Sequence, residues 1–339
     1  VSFVVNHSLV LDEDFKILFR IMFKKERMIK RINISIGFLL SIFLCLLLSG
    51  CSIRQMAIDE MSDALAVGGD VYATDDDPEL IKAASPFSLK LMESMLAENP
   101  EHQGLLLALS RGFTQYSYAF VQQEADEIED EDYLGAEVLR NRARRLYLRA
   151  RDYGIRGLEV DHPGLGEELC QVPTEVLSRV LIDDPGFLYW TSVSWAAAIA
   201  LSGDDPDLIG DLPVIEALID RALELDESYG DGAIHSFLIT YEMTRSGGEG
   251  YPEDCSRRHF TRAVELSSGG QAAPFVTLAE AVSIPNQDRD EFYSLLKLAL
   301  AIDPDERPEW RLANLIYQRR ARWLMDREED LFLETVNGN

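Results

Sequence analysis

From residue 77 onward, apolar positions recur at the three- and four-residue spacing of amphipathic helices, and the two-residue alternation of half-buried strands is absent. Phe87, Leu89, Met92 and Leu96 mark one buried face; Leu105, Leu106, Leu109, Phe113, Tyr116 and Phe120 mark a second that should pack back on it. Asp77-Pro78-Glu79 supplies a capping carboxylate, a proline at the first helical position and an acid in the first turn. Ser85-Pro86 reads as a second start of the same kind. Asn99-Pro100 should stop the helix, because proline has no amide hydrogen and pushes the residue before it out of the helical region. The first two helices are therefore predicted to form a hairpin.

That unit recurs. Helix-ending phrases stand at Leu96 to Pro100, Leu158 to Pro163, Leu223 to Asp226, Val264 to Ser267 and Leu300 to Pro304. The last intervals, 41 residues from Asp226 to Ser267 and 36 from Ser267 to Asp303, lie a little above the roughly 34 of a tetratricopeptide repeat. The predicted fold is all-α: degenerate tetratricopeptide-like helical hairpins stacked into a curved α-solenoid over residues 51–339, with a generic helical bundle as the alternative. Asp126 to Asp132 reads as a solvated acidic loop and Gly247-Gly248-Glu249-Gly250 as a loop between helices.

The N-terminal segment follows a different pattern. Lys24, Lys25, Arg27, Lys30 and Arg31 precede an apolar run from Ile32 to Leu48, which ends in Leu48-Ser49-Gly50-Cys51. This is the plan of a bacterial export signal, and its ending resembles the lipobox of bacterial lipoproteins. That resemblance implies a diacylglyceryl group on Cys51 and cleavage before it. An uncleaved membrane helix wants about 20 apolar residues, and this run is shorter. Residues 1–50 thus read as an extension from a start site placed too early, Met22 and Met28 being later starts, followed by a signal peptide.

Charge narrows the partners. The chain has 32 Lys and Arg against 59 Asp and Glu, a net charge of −27, and so acidic a surface repels nucleic acid and anionic lipid. The arginines of Tyr133 to Val160, among them Arg140, Arg144, Arg149 and Arg151, should mostly pair with surplus carboxylates. Cys170 and Cys255 are left open between one disulfide and two thiols. No phosphate loop, G-x-S-x-G elbow or H-E-x-x-H pair occurs, so no catalytic residue, metal site or cofactor is assigned and the protein reads as a non-enzyme. The aromatic start of the helix after Asp184-Pro185 is the candidate wall of an apolar groove: Tyr189, Trp190, Ser194 and Trp195, with His235, Tyr241 and Phe275 from later hairpins. Trp190 and Ser194 share a helical face and Trp195 lies on another, so at least one ring should escape the core.

Several phrases then stand in order along the chain: the lipobox, Asp75-Asp76-Asp77-Pro78-Glu79-Leu80, Tyr189-Trp190-Thr191, Tyr241-Glu242, His259-Phe260-Thr261-Arg262-Ala263, Gln287-Asp288-Arg289, Leu312-Ala313-Asn314-Leu315-Ile316, and Arg319-Arg320-Ala321-Arg322-Trp323-Leu324. Together they resemble the T-component (TatT) family of TRAP transporters, the tripartite ATP-independent periplasmic systems. The resemblance implies a periplasm-facing lipoprotein that forms a homotrimer and docks the soluble substrate-binding P protein. Ser52 after Cys51 favours the outer membrane under the enterobacterial sorting rule. The alternative is a repeat lipoprotein that scaffolds envelope assembly.

Overall fold

The computed structural model describes residues 6–179, 184–203, 205–245 and 250–333. It separates into two units, residues 1–60 and 61–339. The first is helical, carried by α1 (Asn6–Val67). The side chains of residues 39–55, Cys51 among them, and residues 247–249, which the sequence is expected to place in a loop, lie outside the described residues. Among the described residues no helix is long and apolar enough to cross a membrane.

In the second unit the described residues are helical, without strands. After the short α2 (Gly69–Ala73), α3 (Pro78–Glu98) starts as the sequence predicts, with Asp77 Oδ1 accepting from the amides of Glu79 and Leu80 at 3.1 and 3.0 Å. It ends at Asn99. The second start expected at Ser85-Pro86 is not there: α3 runs through Pro86, and the Ser85 hydroxyl donates to Ile81 O at 2.6 Å. A buried face on both sides of the proline, Ile81 before it and Leu89 and Leu96 after, outweighs the single lost backbone bond.

Next come α4 (Gln103–Tyr116), a π-helical turn over Ser117–Gln122, and α5 (Gln123–Ile128). The supposed acidic loop therefore begins in a helix, because Asp126, Glu127, Glu129 and Asp130 each meet an arginine. α6 (Tyr133–Asp161) packs against α4 and, beyond α7 (Leu165–Leu169) and α8 (Pro173–Arg179), against α9 (Pro185–Ala200). Gly154 and Gly157 face α9 and permit that approach: a Cβ at either would come within 2.0 Å of Thr191 Oγ1 or Phe187 Cε1. The α6 arginines pair as expected, Arg140 with Glu129 and Glu137, Arg144 with Asp205, Arg149 with Glu93.

After α10 (Pro206–Ile209), α11 (Leu212–Leu225) returns along α9. Three successive left-handed residues, Gly230, Asp231 and Gly232, then redirect the chain inside α12 (Tyr229–Tyr241), whose regular turns follow them. α13 (Pro252–Leu266) pairs with α12. α14 (Ala273–Leu278), with a second π turn over Ala279–Ser283, pairs with α15 (Arg289–Ala301), and a 3₁₀ turn at Pro308–Trp310 leads into α16 (Arg311–Asp326) and α17 (Glu328–Leu331).

Two cores result. One spans α3 to α12 around Leu105, Leu109, Tyr147, Leu188 and Leu218; the other gathers Val276, Phe292, Leu296 and Leu324 of α14 to α16. α16 fastens the second core through two buried amides. Asn314 Oδ1 accepts from Ala272 N–H at 2.9 Å and its Nδ2 donates to Gly270 O at 3.0 Å, while Gln318 donates to Ala299 O and Ile302 O at 3.1 and 2.7 Å. The same helix reaches back to the start of the unit. Arg311 donates to Thr74 O, Arg319 meets Glu79 and Glu127, Arg320 meets Asp126, and Arg327 meets Asp130. The beginning and the end of the unit thus join, and the ring they complete surrounds a cavity.

Candidate functional site

The cavity measures about 1110 Å³. Its walls come from α3, α4, α9, α11, α12, α16 and both π turns. On α9, Asp184 Oδ1 accepts from Gly186 N–H at 2.7 Å and fixes the first turn. Phe187, Leu188 and Trp195 then enter the core, while Trp190, Val193 and Ala197 face the cavity. Trp190 Nε1 donates to the Tyr229 hydroxyl at 3.1 Å, and the Tyr189 ring lies 4.9 Å from Trp190 and 5.4 Å from Tyr229, making one aromatic corner. Burial pushes the Tyr189 and Tyr229 phenols up, so both stay neutral hydrogen-bonding groups. On α12 the Phe237 and Tyr241 rings stack at 5.3 Å to form a second corner.

The wall closed by α16 is polar. Tyr118 of the first π turn lies 5.6 Å from Tyr317, and burial raises both phenols. Arg320 donates to Glu280 Oε1 at 2.7 and 3.0 Å and to Asp126 Oδ2 at 2.9 Å, with its guanidinium 4.2 Å over the Trp323 ring. Both π turns lie on the cavity, and a π turn displaces the following side chains from the face that α-helical spacing assigns. A large, mainly apolar hollow with a few convergent polar groups is the form of a small-molecule site.

Of the sequence-predicted residues, Tyr189, Trp190 and Tyr241 line this cavity; Ser194, Trp195, His235 and Phe275 do not. Ser194 is fully buried and donates to Thr191 O at 3.0 Å. Trp195 donates to Asp211 Oδ2 at 3.2 Å with Arg151 over its ring. Phe275 packs edge-on against Phe260, and His235 against His259. Sequence reasoning missed Tyr118, Tyr317, Glu280 and Arg320. Their only signal was the Arg319-Arg320 phrase, which carries no partner with it. Cys170 is exposed; Cys255 is buried and its Sγ accepts from Arg258 at 3.0 Å, and the two cysteines form no disulfide.

A family model described as TRAP transporter T-component matches residues 74–332. The chain belongs to the TRAP transporter T-component family. An uncharacterized protein of Treponema pallidum (strain Nichols) is 31% identical over 308 residues, which cover 86% of this chain and 95% of the relative. The matched span of this T-component runs from α3 through α17 and so holds nearly all of the cavity wall. Membership associates the protein with TRAP transporters, a transport role.

Behind the cavity-lining face of α12, the T-component carries a histidine pair. His235 Nδ1 and His259 Nδ1 are 2.8 Å apart, so one must carry a proton and the other a lone pair. The arrangement is consistent when His259 donates and His235 turns its Nε2 proton toward Glu227, whose carboxylate is 3.6 Å away, too long for a hydrogen bond. Burial and the neighbouring His235, with Arg258 and Arg245, push His259 down to about 4; burial also lowers His235, against the pull of Glu227. The unfolded chain therefore takes up these protons more readily than the folded one. Stability from the pair is fully present above about pH 6.5 and is lost progressively as pH falls toward 4. Urea unfolding at pH 7 and pH 5 should show the loss, and His259→Gln should flatten the pH slope over that window. An unchanged slope in the variant would assign the acid sensitivity to carboxylates instead.

Proposed function

We propose that this T-component is a non-enzymatic, lipid-anchored adaptor on the periplasmic side of a membrane, the outer membrane by the residue after Cys51. It docks the substrate-binding P protein of its transporter and passes an apolar or organic-acid ligand through the cavity. The observation that carries this reading is the cavity itself, about 1110 Å³ and walled by aromatic rings, inside a chain of the T-component family. Successive helix pairs, α3 with α4, α12 with α13 and α14 with α15, support reading the hairpins as degenerate tetratricopeptide-like repeats of a curved solenoid that presents a docking face. Acyl chains on Cys51 would confine that face near the membrane and raise its effective concentration for a diffusing partner, and a homotrimer would multiply it.

The deciding experiment is co-purification with the P protein encoded beside it, at micromolar concentration; a complex is expected, and its absence would count against the adaptor role. Trp190→Ala tests the cavity. Ligand or partner binding should fall by about tenfold or more, since losing one well-placed aromatic contact is worth at least ~1.4 kcal/mol. A lower melting temperature with binding intact would make Trp190 a core residue only.

A further inference from the structure

Two partly buried charged side chains on the cavity wall are left over when the ion pairs among the described residues are assigned; a third, Asp231, is exposed. Arg111 of α4 is partly buried and lines the cavity, yet it forms no ion pair or hydrogen bond with any described residue. In a chain with 59 acidic residues, that is unexpected. Arg320, by contrast, is matched by Glu280 and Asp126. Arg111 acts on the Trp190, Tyr189 and Tyr229 corner through Tyr229, whose other charged neighbour, Asp184, is committed to the Gly186 amide. Glu216 of α11 is the counterpart. It too is partly buried, lines the cavity and forms no hydrogen bond with a described residue.

The charges around Glu216 favour an incoming cation. Its neighbour Arg245 is already bound by Asp220, through both guanidinium nitrogens, and by Glu242 at 3.0 Å. Three carboxylates therefore surround one guanidinium. The stacked Phe237 and Tyr241 rings stand at the same corner, and ring faces attract organic cations. Burial raises the Glu216 carboxyl; Arg245 opposes the rise, and Asp220 and Glu242 add to it. Arg111 and Glu216 do not pair with each other, so each is available to a ligand group. A purely anionic ligand would strand Glu216 against an apolar body, and a purely cationic one would strand Arg111; either leaves a desolvated charge unmatched.

We propose that the cavity takes a zwitterionic amphiphile, its anionic group held by Arg111 and its cationic group by Glu216 beside Phe237 and Tyr241. This rests on the reading of the cavity as a ligand site and specifies the ligand's head. The test uses the full chain in nanodiscs, with empty discs as reference, and three probes that share a tail: hexylphosphocholine, hexyl sulfate and hexyltrimethylammonium. Hexylphosphocholine should bind about tenfold or more tighter than either singly charged probe, as one matched charge-assisted contact allows. Arg111→Gln should reduce that affinity about tenfold and make hexyltrimethylammonium the preferred probe; Glu216→Gln should make hexyl sulfate preferred. Circular dichroism of both variants checks that the fold persists. If hexyl sulfate matches hexylphosphocholine and Glu216→Gln changes nothing, the site is a plain anion site and the zwitterion inference is overturned. Equal binding of all three probes overturns it as well while leaving a ligand cavity. If none of the three binds, the ligand reading of the cavity falls with it.

Discussion

Gly157→Ala is expected to destabilise the protein by about 2 kcal/mol, although alanine is the better helix former. A Cβ there would lie 2.0 Å from Phe187 Cε1 and 2.6 Å from two more atoms of the same ring. Phe187 is 7% exposed, in the first turn of α9 under the Asp184 cap, so the ring cannot swing aside into solvent. Relieving the overlap means lifting α9 from α6, at about 3 kcal/mol for an overpacked site, offset by about 1 kcal/mol of helix propensity. Gly154→Ala meets Thr191 at the same distance one turn earlier. Because one displacement of α9 relieves both overlaps, the double variant should cost clearly less than the sum of the singles. Urea unfolding of the two singles and the double measures this; strict additivity would mean that the two sites relax independently and that α9 does not move as a body.

Arg320→Met should cost about 3 kcal/mol. The guanidinium is the shared partner of Glu280, on the second π turn, and Asp126, on α5, and it is held above its ordinary pKa by them in spite of its burial. Its removal leaves Glu280 without an ion pair among the described residues and Asp126 with only Arg140, at 3.6 Å, both carboxylates being partly buried. Truncating one member of a fully buried pair costs about 3–5 kcal/mol; here the carboxylates are 21% and 29% exposed, which argues for the lower end. Adding Asp126→Asn and Glu280→Gln to Arg320→Met should restore most of the loss, because the stranded charges go with it. Denaturation of the single and triple variants is the check. No recovery in the triple variant would mean that the stacking of Arg320 on Trp323, rather than charge, holds the seam.

The parts of this architecture that could be read from the sequence are those decided within a few residues. Asp77 and Asp184 each cap a helix where their prolines announce it, and Asn99 ends one. Trp190 and Trp195 lie on different faces of α9 because 3.6-residue spacing puts them there, and Trp190 is the ring on the cavity. Pro86 misled because its local rule was sound but the burial of Ile81 and Leu89 on one continuous helix counts for more. The acidic run at Asp126 looked solvated because, Arg140 aside, the arginines that meet it are distant in sequence, Arg319 and Arg320 lying 192 and 194 residues away. Tyr118 and Glu280 were hidden differently: each sits in a π turn, whose extra residue shifts the register that periodicity arguments assume. The His235 and His259 contact joins two helices 24 residues apart, a spacing that has no meaning until their pairing is known.

The joining of α16 to α3 and α5 also bears on how the chain folds. Arg319 meets Glu127 and Glu79 across 192 and 240 residues. Closure entropy grows only as the logarithm of such separations, about 0.6 kcal/mol per doubling, so the seam is inexpensive at equilibrium. It is costly in time, because contacts so distant in sequence form after the local helix pairs. On a chain synthesised from its N-terminus, α3 to α6 can pair while α16 does not yet exist. The hollow therefore stays open to solvent until nearly the last helix arrives, and completion of the ring is a late event of folding.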